Sequence, residues 1–255
     1  MIRFACCFNR KSIQTLLVAL LYGTLFLAVN AFGENEGECI EGDCGNGQGT
    51  YLWANGDEYV GSFQYGRAHG IGTSTFPGGE EYVGSWNNGL MHGEGSYSYD
   101  DGSIYIGSFK DDKMDGEGTF AYANGDKYAG SWKSGKENGK GVYTCVDGAE
   151  YVGSWKDGMS HGNGSMTWPN GDTYIGSWKD GEMHGEGTYT YINGDKYVGS
   201  FRNDKKDGMG TFTSADGGKY VGSFRNDNID GEGTYTSADG VKYTGKFENG
   251  EFVAK

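Results

Sequence analysis

The chain has 255 residues, 49 of them glycine and only two proline, with a formal charge of −14. That length holds one or two ordinary domains, and so acidic a surface argues against nucleic acid as a partner, because a polyanion would be repelled. The glycines recur at fixed registers rather than in low-complexity runs, so a single repeat-built domain is the better count.

Residues 1–11 carry Arg3, Arg10 and Lys11 and no acid, and Ser12–Phe32 is then an apolar run. A basic head before such a run reads as a signal peptide over residues 1–31, with cleavage after Ala31 because Val29-Asn30-Ala31 places small residues where a signal peptidase reads. The run is also long enough to span a bilayer, so an uncleaved anchor over residues 12–32 is the alternative, in which Cys6 and Cys7 could be acylated. Both readings put the repeats on the non-cytoplasmic side, secreted, periplasmic or held at a membrane.

Residues 32–46 form an acidic stretch with Glu34, Glu36, Glu38, Glu41 and Asp43, read as a linker too polar to pack a core. Cys39 and Cys44 flank four residues, and in an exported protein that spacing suits a local disulfide, the alternative being two free thiols.

Residues 47–250 repeat every 23 residues without one insertion. Tyrosine recurs at Tyr59, Tyr82, Tyr105, Tyr128, Tyr151, Tyr174, Tyr197, Tyr220 and Tyr243. Glycine follows two residues later, and an aromatic ring two beyond that, as at Gly84 and Trp86. A pair of glycines closes the pattern, as in Gly93/Gly95 and Gly162/Gly164. Tyr82-Val83-Gly84-Ser85-Trp86 alternates with the period of a strand, and Gly93, Gly95, Tyr97 and Tyr99 alternate likewise, so each repeat predicts a hairpin with rings and glycines on one face. The stretch Asn87–His92 reads as a loop, and dipeptides such as Asn124-Gly125 and Asp101-Gly102 read as tight hairpin turns. Eight full units with a half-unit at each end give about 18 strands, or roughly 80 Å at the usual strand spacing, and residues 251–255 are left as a tail. One hairpin buries too little to stand alone, so stability must come from stacking.

The pattern Tyr-x-Gly-x-Trp/Phe, then Gly, then His-Gly-x-Gly, as in Tyr174-Ile175-Gly176-Ser177-Trp178 with Gly181 and His184-Gly185-Glu186-Gly187, resembles the MORN (membrane occupation and recognition nexus) repeat. The resemblance implies an all-β fold, an elongated, twisted, single-layer antiparallel sheet of stacked hairpins. Departures are mild: the loop glycine becomes Asp112, Asp204 and Asp227, and the loop histidine becomes Asp115, Asn138, Asp207 and Asp230.

Histidine occurs only at His69, His92, His161 and His184, all in one register. Equivalent atoms two strands apart lie ~10 Å from each other, too far for one zinc ion. The Gly-x-Asp turns are similar to calcium-binding nonapeptide repeats, but the period is 23 rather than nine. No phosphate-binding loop or nucleophile elbow stands outside the repeat grammar, and Cys145 occupies a ring register as a packing substitute. The expectation is no cofactor, no metal and no enzyme. MORN arrays are often joined to lipid-kinase or methyltransferase domains, and this sequence is expected to carry neither.

What remains is surface. The rings Tyr82, Trp86, Tyr97, Tyr105, Phe109, Tyr128, Trp132, Tyr151, Trp155, Tyr174 and Trp178 form a candidate interaction face, the alternative being that they only cover one another and the glycines. The expected partner is a protein or a second copy, through that face or the sheet edges. The family name suggests phospholipid, which the acidity disfavours: removing residues 1–31 moves the charge from −14 to −17. Asn163-Gly164-Ser165 is a glycosylation sequon, read as lying in an exposed loop.

Overall fold

A computed structural model describes residues 37–254, so the segment read as a signal peptide or anchor, with Cys6 and Cys7, lies outside the described residues. Among the described residues every regular element is a β-strand, and no helix is long and apolar enough to cross a membrane. The chain divides into two compact units, residues 1–138 and 139–255, built on one plan.

In the first unit Gly37–Gly42 pairs with Gln48–Trp53. The chain then runs through Glu58–Gln64, Arg67–Thr75, Glu81–Asn87, Leu90–Ser98, Ile104–Lys110, Lys113–Ala121 and Lys127–Lys133, each antiparallel to its sequence neighbours. The strand Lys136–Thr144 gives its residues from 139 onward to the second unit. Glu150–Lys156, Met159–Thr167, Thr173–Lys179, Glu182–Thr190, Lys196–Arg202, Lys205–Thr213, Lys219–Arg225, Asn228–Thr236, Lys242–Glu248 and Glu251–Ala254 follow in the same antiparallel manner. Each unit is therefore a single antiparallel layer of hairpins.

Two segments correct the sequence reading. Gly37–Gly42, assigned to the linker, is a strand on Gln48–Trp53, and Glu251–Ala254, assigned to the tail, is a strand on Lys242–Glu248. Neither segment has the repeat pattern; each pairs because the neighbouring edge offers unmet backbone donors and acceptors. A disulfide joins Cys39 to Cys44, with Cα atoms 5.9 Å apart. Beyond it, Gly66 N–H donates to the Gly45 carbonyl and Phe63 N–H to the Gly47 carbonyl, so this segment stands in for the missing preceding half-repeat.

The turns are also reassigned. Within a repeat the hairpin closes on two residues in the left-handed region, such as Asn88 (φ 52°) and Gly89 (φ 88°), between strands ending at Asn87 and starting at Leu90. Two positive φ values are what a tight turn needs to match strand twist. The dipeptides read as hairpin turns, such as Asn124-Gly125 and Asp101-Gly102, lie instead in the longer connections between repeats, where only the glycine is left-handed: Tyr122 N–H donates to the Asp126 carbonyl and Gly125 N–H to the Tyr122 carbonyl.

Candidate interaction face

The face is built by one recurring irregularity. Tyr82 pairs with Tyr97, Gly84 with Gly95 and Trp86 with Met91, so Ser85 alone opposes the three residues 92–94. This bulge breaks the parity on which the sequence reading relied. Gly93, expected among the rings, adopts φ 82°, and a Cβ built on it would meet Ser85, on the opposite face, at 3.2 Å. His92 belongs to a strand, not a loop.

The bulge also frees a carbonyl. Tyr82 lies back along its own strand and donates its hydroxyl to the Ser85 carbonyl at 2.9 Å, and Tyr59, Tyr105, Tyr128, Tyr151, Tyr174, Tyr197 and Tyr220 do the same to the serine three residues on, at 2.9–3.2 Å. A buried carbonyl without a donor would be costly, so the bulge and the hydroxyl require each other. In this pose the ring covers two glycines: a Cβ on Gly84 or Gly95 would sit 2.5 Å from Tyr82 atoms. The covering ring comes from the glycine's own strand for Gly84 and from the adjoining strand for Gly95. Burial pushes the Tyr59 hydroxyl up to about 12 and raises Tyr82, Tyr105, Tyr151 and Tyr174 as well.

The second ring locks repeat to repeat. Tyr82 makes edge-to-face contacts with Trp86 on its own strand at 5.1 Å and with Phe109 of the next repeat at 5.0 Å. Tyr174 does the same with Trp178 and Phe201. Such geometry aligns positive ring edges with negative faces. The indole N–H groups of Trp86, Trp132, Trp155 and Trp178 donate to the carbonyls of Gly72, Gly118, Gly141 and Gly164 in the preceding strand, at 3.2–3.3 Å.

These contacts decide the fate of the proposed face. Tyr82, Trp86, Tyr105, Phe109, Tyr128, Trp132, Tyr151, Trp155, Tyr174 and Trp178 are all buried, Tyr82 wholly and Trp86 to 6% exposure. They are the core of the fold and offer nothing to a partner. Tyr97 alone of that set is half-buried. Tyr99 and Tyr122 in the first unit are half-buried as well, as are Trp168, Tyr191 and Phe212 in the second. The sequence reading placed Tyr97 and Tyr99 on the face of rings and glycines, but of these two named only Tyr97 as a candidate interaction residue. On the opposite face Val83 is 43% exposed, and Val60, Ile106, Val152, Ile175, Val198 and Val221 are exposed likewise.

Two charged side chains interrupt the ring face. Glu137 and Lys206 stand in the register held by Met91, Met114 and Met183 in other repeats. Glu137 is only 8% exposed and accepts a hydrogen bond from Tyr122 Oη at 2.8 Å; burial holds its carboxyl above the usual carboxylate range. Lys206 Nζ lies about the same distance from three rings, 5.5 Å from Tyr191 and Phe212 and 5.6 Å from Tyr197. The departure from methionine was the signal available in the sequence.

The remaining polar registers serve the fold. Asp112, Asp204 and Asp227 take left-handed φ values of 66°, 67° and 73° where other repeats have glycine, and their carboxylates accept the N–H groups of Met91, Met183 and Lys206 in the preceding repeat. Asp tolerates that backbone region and returns a bond that glycine cannot make. His92 Nδ1 lies 3.3 Å from Asp111 Oδ1, and His161 Nδ1 lies 3.4 Å from Asp180 Oδ1, again across repeats. No group of metal-ligating side chains is found among the described residues. Asn163 is exposed on the strand Met159–Thr167 rather than in a loop, with Ser177 Oγ 3.4 Å from its Oδ1. Cys145 is buried in its ring register.

The family profile described as MORN repeat matches residues 46–58, 59–81, 82–104, 105–127, 128–150, 151–173, 174–196, 197–219 and 220–242. A search of curated proteins finds no match. Among solved structures, the chain is similar to the SAS-4 (dCPAP) TCP domain of Drosophila melanogaster, determined in complex with a proline-rich motif of Ana2 (15% identity, 78% of this chain and 97% of that one, TM-score 0.31). It is also similar to the G-box domain of the microcephaly protein CPAP (13%, 84% and 100%, 0.33) and to virginiamycin B lyase from Staphylococcus aureus (9%, 84% and 74%, 0.16).

Proposed function

This chain belongs to the MORN repeat family, and from that premise we propose that it is a non-catalytic scaffold whose half-buried ring row docks a protein or a second copy of itself. The observation that carries this reading is the division of labour on the ring face. The recurring tyrosines and tryptophans spend their hydroxyls and indole N–H groups on backbone carbonyls of the fold, whereas Tyr97 and Tyr99 keep part of their surface open. Half-exposed aromatic rings are the residues that protein interfaces favour. The scaffold is exported, with its leader cleaved after Ala31 or retained as an anchor. The basic and apolar leader supports export, as does the disulfide between Cys39 and Cys44, which belongs to an oxidising compartment.

The test is affinity capture from native extract with the full chain as bait. A protein retained in high salt and released by Tyr97→Ala plus Tyr99→Ala supports the reading. Retention unaffected by both substitutions, or capture of phospholipid vesicles alone, overturns it.

A further inference from the structure

The face turned away from the rings carries an exposed aliphatic row in both units. Two-residue alternation sets Glu58, Val60 and Ser62 on this face, with Glu81, Val83 and Ser85 in the same registers of the next repeat. Val60, Val83 and Ile106 in the first unit and Val152, Ile175 and Val198 in the second are exposed, Ile106 to 61% and Ile175 to 64%. Each leaves apolar surface in water, which a second sheet packed about 10 Å away, as in a β-sandwich, would remove.

The register two residues before this row names the occupant. In the first unit it reads Glu58, Glu81, Ile104 and Lys127, and in the second Glu150, Thr173, Lys196 and Lys219. Laid against each other in opposite order, the two runs match in charge: Glu58 meets Lys219, Glu81 meets Lys196, Lys127 meets Glu150, and Ile104 falls opposite Thr173. The same order would oppose Glu58 to Glu150 and Lys127 to Lys219, and a first unit on another first unit would leave Glu81 on Ile104. On the other side of the row Glu94, Glu117 and Glu186 accept hydrogen bonds from Ser108, Ser131 and Ser200 and so lie along their own face. The nine strands of the first unit, at ~4.8 Å spacing and about 17 Å of length each, give roughly 700 Å² of face, near the ~800 Å² per partner of a stable interface.

We propose that this face is the contact between two copies of the chain, the first unit of one packing on the second unit of the other in opposite order. The aliphatic row supplies the burial, and the charges beside it select the order by making the alternatives repulsive. This contact does not depend on the ring-face reading, because the half-buried rings lie on the other side of each layer and stay open when two copies meet.

Sedimentation equilibrium of the full chain reads the association. Two charge reversals carry the test, Glu58→Lys with Glu81→Lys, and Lys196→Glu with Lys219→Glu, and thermal unfolding verifies that both variants fold. The wild type is expected to associate and each variant alone to do so about ten-fold more weakly, whereas an equimolar mixture of the two variants recovers the wild-type affinity because their reversed charges match each other. Val83→Ser with Ile106→Ser should weaken association at high salt as well as at low, since apolar burial is not screened. A wild type that stays monomeric, variants that associate as tightly as the wild type, or a mixture no tighter than its components overturns the proposal. Association that survives both charge reversals but is lost in Tyr97→Ala plus Tyr99→Ala moves the contact to the ring face, overturning this proposal while supporting the docking reading. Wild-type association rescued by the mixture, with no partner captured from extract, supports this contact and overturns the docking reading.

Discussion

Tyr151 Oη donates to the Ser154 carbonyl at 3.0 Å across Gly153, the residue between them that has no side chain to obstruct the ring. One bond thus joins the three recurring features of the repeat: the tyrosine, the glycine two residues on, and the serine left out of the ladder by the bulge. Tyr151→Phe keeps the ring and orphans the carbonyl. Thermal unfolding should show a loss of about 1–3 kcal/mol, and Tyr174→Phe a similar one. A shift within error would mean that solvent satisfies the carbonyl.

Gly164 has no unusual φ, so its requirement is purely steric: an added Cβ would lie 2.4 Å from Tyr151 Oη. Gly164→Ala should destabilise by several kcal/mol because the ring must leave its place. Ser165→Ala, one residue on and on the other face, should cost less than about 0.5 kcal/mol. Equal melting shifts would refute the assignment of faces.

Burial raises the Glu137 carboxyl, so the native state holds its proton to higher pH than the unfolded chain does. Stability contributed by this group is then highest below the unfolded carboxylate range and falls as pH rises through the elevated native value. Glu137→Gln should be more stable than the wild type at pH 8 and equal to it at pH 4, as read by chemical denaturation at the two pH values. A constant difference would remove the titration from the account.

Processing and modification are checked on protein from its native host. N-terminal sequencing should begin at Phe32, whereas recovery of residues 1–11 in the membrane pellet would establish an anchor. In a glycosylating host, peptide N-glycosidase should remove a single glycan, absent from Asn163→Gln, because Asn163 is exposed on its strand.

Phospholipid binding makes a different prediction from protein docking. The array would have to use lysines such as Lys110, Lys113 and Lys133, and an ionic contact fades over a Debye length of ~10 Å at moderate salt. In flotation with phosphatidylinositol-phosphate liposomes at ~0.15 M salt the protein should stay at the bottom of the gradient. Co-flotation that disappears in high salt would favour the lipid reading.

Trp132→Ala with Trp155→Ala, attractive as a test of docking while those rings are read as surface, is instead a test of folding. Both rings are buried, and both indoles hold glycine carbonyls. Loss of binding in that variant would report unfolding. Tyr97 and Tyr99 are half-buried, and because they also pack on Phe76 and Phe120 their substitution is read for docking only with thermal unfolding measured alongside.

By itself the sequence determined the period, the strand parity of Tyr82, Gly84 and Trp86, and the place of glycine beneath a ring. These follow from local rules: two-residue alternation, and the absence of a side chain where another must lie. Only the tertiary structure decided which rings remain available. The bulge at Ser85 depends on how many residues the facing strand sets against it, and parity along one strand carries no information about that count. The same holds for Gly37–Gly42, whose strand has no pattern of its own and is imposed by the open edge of Gln48–Trp53. Glu137 and Lys206 were visible as departures from methionine, but their significance lay in neighbouring rings such as Tyr122 and Tyr191, each 15 residues before them in the chain and brought beside them only by strand pairing.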